Sequence, residues 1–493
     1  MKILSISITH DASATIIDNG KIIFYLSSER LSRKKHCDRI INVLRYLYEN
    51  KITKFDVILV NLYRKEDVKF EKPLKDLFDE HFHYKKINFD YVHHHLYHAY
   101  CGFYNSKFNN ALCVVLDGHG SEIIKNGQYH TEIESVYYAS RNEIKELSKK
   151  YTISGKQNQP ESVGYKFEKL SKKLGFDWYG AGKVMGLAQY KNYKNELESR
   201  WIPYVDECYS IQKETQDEVI NLLEKYVKLV DTKNIVISGG YGLNCVANYE
   251  FLNHFPKHKF YIDPICFDAG ISIGQAFYYH KQKSFFPIKP LKNVYIGLKE
   301  NNYNLEGLSA QKVSYGDVAE LLKNGNMIAL FQGRSEAGQR ALGNRSFLFD
   351  PRVKNGRDIV NKLKKRESFR PFAGSILSEY AHEWFDMRGL NECSYMQYAV
   401  NALKDGIPGM IHVDNTCRVQ TVKKKQNKHF YNLILAFYKK TKVPMLLNTS
   451  FNLAGEPLVE TFSDAVNTMR NSDINYLYLP EIKTLINFSK TPY

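Results

Sequence analysis

The sequence predicts an α/β fold in two parts, a duplicated two-lobed domain over residues 1–295 and a second α/β domain over 310–493. Three observations carry this. Apolar runs with strand character alternate with stretches of helical period. One strand–Asp–hairpin pattern occurs twice, at residues 2–26 and 111–138. Around residues 283–315 the composition changes, from Ser284-Phe-Phe-Pro-Ile-Lys-Pro290 to a polar stretch through Asn301, Asn302 and Asn304, and the domain boundary belongs there.

In chain order, Lys2-Ile-Leu-Ser-Ile-Ser-Ile-Thr9 reads as a strand running into His10-Asp11. The chain then turns at Asp18-Asn19-Gly20 and returns as Ile22-Ile-Phe-Tyr-Leu26. Asn-Gly between apolar runs is a hairpin signal, because both residues accept positive φ. The second copy takes Ala111–Leu116 into Asp117-Gly-His119-Gly120, turns at Lys125-Asn126-Gly127 and returns through Ser135–Tyr138. Duplication of this kind puts Asp11 and Asp117 at equivalent strand ends, facing each other across a cleft. It fits the two-lobed architecture of actin, Hsp70 and sugar kinases.

Between the copies lies Tyr91-Val-His-His-His-Leu-Tyr-His-Ala-Tyr100. As a helix it sets His94 and His98 one turn apart on one face, a usual pitch for two imidazoles on one metal ion. The bland alternative is a satisfied His-rich turn or helix cap, so a ligand role needs carboxylates from elsewhere. Residues 160–190 read as helical and contain Gly180, Gly182 and Gly186 around Lys183, which permit close backbone approach without Walker spacing. Ile235–Ser238 breaks into Gly239-Gly240 before helix-compatible Leu243-Asn244. Strand, glycine turn and helix start suit a phosphate or ribose, although most such turns are only turns. Asp268 precedes a small-residue helix. In the second domain a helix (318–323), the turn Asn324-Gly325 and a strand (327–331) lead into Arg334, Arg340, Arg345, Arg352, Lys364, Lys365, Arg366 and Arg370. These cations alternate with Gly, Ser and Phe rather than with acids, which suits bidentate phosphate binding.

The 493 residues, 43% hydrophobic, allow two to four structural units. No apolar run reaches membrane-span length and the N-terminus has no cleavable apolar signal, so a cytoplasmic protein without a membrane partner is expected. The eight scattered cysteines form no CxxC pair, in keeping with reduced thiols. With 69 Lys+Arg against 53 Asp+Glu the net charge is +16, so a polyanion such as nucleic acid is one reading and a solvated surface the other.

At Gly333-Arg-Ser-Glu-Ala-Gly-Gln-Arg-Ala-Leu-Gly-Asn-Arg-Ser346, with Lys365-Arg-Glu-Ser-Phe-Arg-Pro-Phe-Ala373, the chain resembles the O-carbamoyltransferase family of the nodulation-factor, cephalosporin and tobramycin carbamoyltransferases. His10-Asp11, Glu29-Arg-Leu-Ser-Arg33, His94–His98, Asp117-Gly, Gly182–Leu187, Gly239-Gly240 with Asn244, Asp268-Ala-Gly270 and Asn448-Thr-Ser-Phe-Asn452 fit the same pattern. Gln339 stands where the family usually has proline, which implies an altered loop. The resemblance implies an N-terminal part like the tRNA threonylcarbamoyladenosine transferase and a YrdC-like C-terminal domain.

It further implies two steps. ATP, with Mg, and carbamoyl phosphate give carbamoyladenylate in the C-terminal domain, held by Arg340, Arg345, Lys364, Arg366, Arg370 and Arg418 with Asn448, Ser450 and Asn452. The N-terminal domain then passes the carbamoyl group to a hydroxyl through a closed chamber. There His94, His98, Asp117 and Asp268 hold Fe(II) or another divalent transition metal, and Lys183, Gly239, Gly240 and Asn244 bind the adenylate. His10, at the mouth of a cleft strand, is with Asp11 the candidate catalytic pair, His10 acting as base; the alternative is a strand-end histidine satisfied by Asp11. The +16 charge and plentiful Tyr and Phe point to an acceptor in DNA, the hydroxymethyl group of a 5-hydroxymethylcytosine-type base as in hypermodified phage genomes, which places the protein in a bacterial or phage-infected cytoplasm. A sugar or natural-product hydroxyl is the alternative. A fused tRNA-modifying synthase and a non-catalytic nucleotide-binding regulator are more distant readings. A homodimer is left open.

Overall fold

The computed structural model describes residues 1–62, 65–153, 159–300 and 302–489, with the side chains of Lys65 and Glu66 excluded; Asn301, used above to place the boundary, lies outside the described residues. The chain divides into two compact units. Unit 1 is Met1–Val184, Ile211–Asn244 and His254–Lys292; unit 2 is Met185–Ser210, Cys245–Asn253 and the chain from Asn293 onward.

Unit 1 holds two sheets of one design. Strands β1 (Lys2–Ile8), β2 (Ser13–Asp18) and β3 (Lys21–Ser27) form an antiparallel meander, and β4 (Val57–Leu62) and β5 (Lys86–Asp90) add in parallel beyond β1, giving the order β3-β2-β1-β4-β5. In the second sheet β6 (Asn110–Leu116) is central. On one side it pairs antiparallel with β8 (Gln128–Ser140), which continues to β7 (Glu122–Lys125) and β9 (Ile144–Ile153). On the other it runs parallel to β10 (Asn234–Ser238) and β11 (Lys259–Ile262). The order β3-β2-β1-β4-β5 recurs as β9-β8-β6-β10-β11, so the sheet is duplicated, but the hairpins are not equivalent. Asn19-Gly20 joins β2 to β3, whereas Asn126-Gly127 joins the additional strand β7 to β8, which pairs with β6. Both turns take positive φ at both residues (46° and 75°; 51° and 74°). The actin- and sugar-kinase-like α/β reading of this part follows from that strand order.

Each half lends its last helix to the other half's sheet. The His94–Ser106 helix follows β5 but lies against β6 and β10; the Ile271–Lys283 helix follows β11 but lies against β1 and β2; and the two helices pack on each other. The histidine helix starts at His94 and not at Tyr91, with His93 as its N-cap. Small hydroxyls hold the second helix to the first sheet. Ser13 Oγ bonds Ala269 O and Ser272 Oγ, Thr15 Oγ1 bonds Ser272 Oγ (each 2.8 Å), and Ser5 Oγ donates to Gln275 Oε1 (2.7 Å). The buried polar residues of β1 and β2 are thus bonded at little cost, and Asp268 is fixed one turn before that helix.

Close packing of the two helices depends on Gly274. A Cβ there would stand 1.9 Å from the carbonyl oxygen of Tyr97, and backbone cannot yield as a side chain does. Gly274→Ala is expected to lower stability by about 3 kcal/mol, the upper range for overpacking. An unchanged urea midpoint for that variant would refute the contact.

Unit 2 is built on a nine-stranded mixed sheet. Its order is Ser309–Lys312, Thr484–Asn487, Tyr476–Leu479, Ile328–Phe331, Arg345–Phe349, Met445–Ser450, Ala373–Leu377, Thr416–Val422 and Ala399–Asn401. Capping boxes at Ser314/Asp317 and Thr461/Asp464 start two of its helices. All eight cysteines are free and buried. Among the described residues no helix is long and apolar enough to cross a membrane.

Candidate metal centre and anion site

In unit 1 the helix carrying His94 and His98 presents both imidazoles to two carboxylates from the other half. His94 Nε2 lies 3.3 Å from Asp117 Oδ2 and 3.4 Å from Asp268 Oδ1; His98 Nε2 lies 3.2 and 3.6 Å from the same two atoms. All four residues are buried, and one donor atom from each falls within 4.8 Å of every other. The neighbouring imidazoles are spent elsewhere, His93 on Asp90 and His95 on Ser135 Oγ (2.8 Å). Burial holds His95 neutral, its pKa lowered to about 4.

Burial opposes charge on His94 as well, but Asp268 and Asp117 outweigh it and raise its pKa to about 10. The same imidazoles bring both carboxyls well below their ordinary range against burial. Against burial, Asp117 raises the His98 pKa as well, and a divalent cation bound by the four groups would displace protons from the imidazoles. Two nitrogens and two carboxylate oxygens suit Fe(II), Mn(II) or Zn(II), whereas Mg(II) prefers an oxygen shell.

The glycine turn after β10 supports this centre. Gly240 N–H (3.1 Å) and Gly118 N–H (2.9 Å) both donate to Asp117 Oδ1, leaving Oδ2 for the imidazoles. Gly239 has φ +87°, and a Cβ on it would stand 2.3 Å from Leu116 O. Gly240 is therefore a positioning group for Asp117. Asn244 pairs side chain to side chain with Gln212 (3.1 and 3.2 Å), and the Lys183 ammonium lies 4.4 Å from the Phe176 ring centroid.

His10, at the end of β1, reaches the same centre. Its Nδ1 is 3.4 Å from Asp268 Oδ2 and its Nε2 3.3 Å from Asp11 Oδ2. Burial would lower its pKa, but Asp268 and Asp11 raise it to about 10. The sequence reading missed three neighbours. His36 Nδ1 sits 3.0 Å from Asp11 Oδ1, and its ring stacks on Tyr179 at 3.7 Å between centroids. The Glu168 carboxyl stands beside Gly118, where a Cβ would come within 2.4 Å of its Oε1. Burial, then the Asp117 charge, push Glu168 up to about 7. No spacing in the sequence marks any of the three.

In unit 2 Lys364 donates to Ser450 O, Ser450 Oγ (3.1 Å) and Asn452 Oδ1 (3.0 Å), so three of the expected residues meet at one point. Asn448 Nδ2 donates to Ser375 Oγ (2.9 Å), while its Oδ1 has no partner among the described residues. Arg366, Arg370 and Arg418 cluster. Burial first, then the Arg370 and Arg418 charges, depress the Arg366 guanidinium well below its usual value. Arg366 Nη2 and Arg418 Nε have no hydrogen-bond partner among the described residues. Three guanidiniums with Glu367 as the nearby acid make a cluster that could hold an anion.

Arg340 is half-buried on the loop before Arg345–Phe349. Arg345 requires a correction to the expected phosphate-binding set. It is fully buried, and its Nε, Nη1 and Nη2 donate to the carbonyls of Gln332, Gly333, Asn344 and Glu460. With its donors spent on main chain it holds the loop and cannot also grip a phosphate. The Glu336 carboxylate fixes the same loop, accepting from Leu342 N (2.7 Å) and Asn344 N (2.9 Å).

Family profiles for the carbamoyltransferase N-terminus and C-terminus match residues 204–277 and 319–485. The chain is similar to nodulation protein NolO of Bradyrhizobium diazoefficiens, 30% identical over 78% of this chain and 77% of the relative. It is similar to nodulation protein NolNO of Sinorhizobium fredii, 28% identical over 95% of this chain and 78% of the relative. With 3'-hydroxymethylcephem-O-carbamoyltransferase of Amycolatopsis lactamdurans it shares 33% identity over 47% of this chain and 45% of that one.

Proposed function

Because the chain belongs to the carbamoyltransferase family, we propose that this transferase uses ATP and carbamoyl phosphate to carbamoylate a hydroxymethyl group on a modified pyrimidine of DNA, of the 5-hydroxymethylcytosine type. The observation that carries the reading is the convergence of His94, His98, Asp117 and Asp268, with His10 against Asp268. Water cleaves carbamoyl phosphate to carbamate and phosphate. A carbamate oxygen attacks the α-phosphorus of ATP and pyrophosphate leaves. The acceptor oxygen then attacks the carbamoyl carbon, its proton goes to His10, and the C–O bond to the adenylate breaks, AMP leaving with that electron pair on its phosphate oxygen.

In this scheme Arg366, Arg370 and Arg418, with Arg340, neutralise the crowded phosphates, Lys364 holds Ser450 and Asn452 in place, and Asn448, Ser450 and Asn452 orient the carbamoyl amide. A divalent cation held by the four ligands would supply Lewis acidity to the carbamoyl oxygen and offset the Asp268 charge that keeps His10 protonated. His10, freed of its proton, is placed to take one from the acceptor.

The +16 charge supports a DNA acceptor. A second reading, a small molecule bearing a hydroxymethyl or sugar hydroxyl, is favoured by the likeness to the cephem enzyme, whose name gives a hydroxymethyl acceptor. The two part in a transfer assay with ATP, radiolabelled carbamoyl phosphate and DNA with or without 5-hydroxymethylcytosine or 5-hydroxymethyluracil. Label on hydroxymethylated DNA alone is expected. AMP release with label only on an added sugar would move the acceptor to the second class.

A further inference from the structure

Two large aromatic side chains stand exposed beside the metal centre, and the mechanism above uses neither. Trp178 and Tyr179 are 43% and 46% exposed, in the turn between the Val163–Lys173 and Ala181–Ala188 helices. From Tyr179 a run of rings leads inward to Asp268, and from Trp178 another leads to His119, beside Asp117 in sequence. Tyr179 lies nearly parallel to His36 (3.7 Å, 16°) and against His10 (5.1 Å, 25°), and His10 Nδ1 touches Asp268. Trp178 is nearly parallel to Tyr165 (6.5 Å, 21°), which meets His119 edge-on (4.9 Å, 73°), two residues beyond Asp117. The Lys172 ammonium stands 4.3 Å from the Trp178 ring centroid.

The loop that carries His36 adds charge to this rim. Lys34, Lys35 and Arg39 are exposed and Arg33 is half-buried, with Asp38 as the only acid between them. Glu168 stands beside Gly118 with no hydrogen-bond partner among the described residues, so its oxygens are open to the N–H donors of an incoming ring edge.

We propose that Trp178, Tyr179 and the Arg33–Arg39 loop form the acceptor seat, in which a nucleobase swung out of a DNA strand stacks on the two rings while the loop holds its phosphates. This rests on the DNA reading of the acceptor. A planar ring is what such rings recognise, and a base displaced from its stack regains on the platform part of what it loses on leaving. The cations supply the sequence-independent grip on the strand, and Glu168 reads the polar edge of the base.

The test uses the full-length protein and a fluorescein-labelled single-stranded oligonucleotide with one 5-hydroxymethylcytosine, followed by anisotropy and by radiolabelled carbamoyl transfer. Trp178→Ala and Tyr179→Ala are each expected to weaken binding by about tenfold, while Trp178→Phe and Tyr179→Phe, which keep a flat ring, stay within about twofold of wild type. Lys34→Glu with Lys35→Glu should lower the slope of log affinity against log salt by about two. If wild type carbamoylates the DNA while both alanine variants bind and react as wild type does, the seat is refuted and the DNA reading stands. If wild type neither binds the oligonucleotide nor labels it, but labels a hydroxylated sugar, both fall.

Discussion

Replacing Asp268 by alanine is expected to abolish stoichiometric metal binding and to lower carbamoyl transfer by about a thousandfold, the several kcal/mol that Lewis-acid catalysis supplies. Asp268 meets His94 and His98 through Oδ1 and His10 through Oδ2. One substitution therefore removes a ligand and also unseats the base. His98→Gln removes a ligand but leaves His10 against Asp268, so it should lose metal with a smaller loss of transfer at saturating cation. Metal content by mass spectrometry separates these effects from misfolding. Chelation should silence the wild-type protein, and Fe(II), Mn(II) or Zn(II) should restore it; activity that survives chelation and the Asp268 variant alike would refute the centre. Carbamoyl-phosphate-dependent release of pyrophosphate from ATP, proposed for unit 2, should continue in the Asp268 variant.

How far this site was legible follows from the distances along the chain that its contacts span. The i, i+4 pair His94/His98 and the two Asn-Gly hairpins are local patterns, and the structure keeps both. Asp117 stands out as a repeated strand-end Asp and Asp268 as an Asp before a small-residue helix, but only the resemblance joins them to the histidines, because no periodicity links a strand-end Asp to a helix that the other half contributes. His36 meets Asp11 across 25 residues, and Glu168 reaches the Asp117–Gly118 turn from a helix whose own pattern is amphipathic. Such contacts are set by packing. The strand pair Ser309–Lys312 with Thr484–Asn487, at opposite ends of unit 2, is of the same kind. The excursions of 185–210 and 245–253 into unit 2 also leave no mark in composition. The arginine-rich stretch misled in a specific way. Alternation with Gly and Ser reads as an anion site, yet Arg345 serves main-chain carbonyls, which only the buried geometry reveals.

The arginine cluster gives a prediction with opposite signs for stability and function. Arg366 is crowded by Arg370 and Arg418, and both Arg366 Nη2 and Arg418 Nε lack a hydrogen-bond partner among the described residues. A protein that needed these groups only for its fold would not gather like charges and leave donors unspent. Arg418→Gln should then leave unfolding stability unchanged or raise it by up to about 1 kcal/mol, because a repulsion is relieved. The same change should raise the KM for carbamoyl phosphate or ATP by on the order of a hundredfold, the worth of a lost charge-assisted contact to a desolvated anion. Pyrophosphate offered to the wild-type protein at a hundred times its Kd should stabilise it by about 2.7 kcal/mol, and the variant far less at the same concentration. A variant that is both less stable and unaltered in KM would show that Arg418 holds the Ala373–Leu377 and Thr416–Val422 strands together, where Ala373 faces it in register, and that the anion is bound elsewhere. Raised stability with weakened binding would show that unit 2 accepts a standing electrostatic cost to keep an anion site ready.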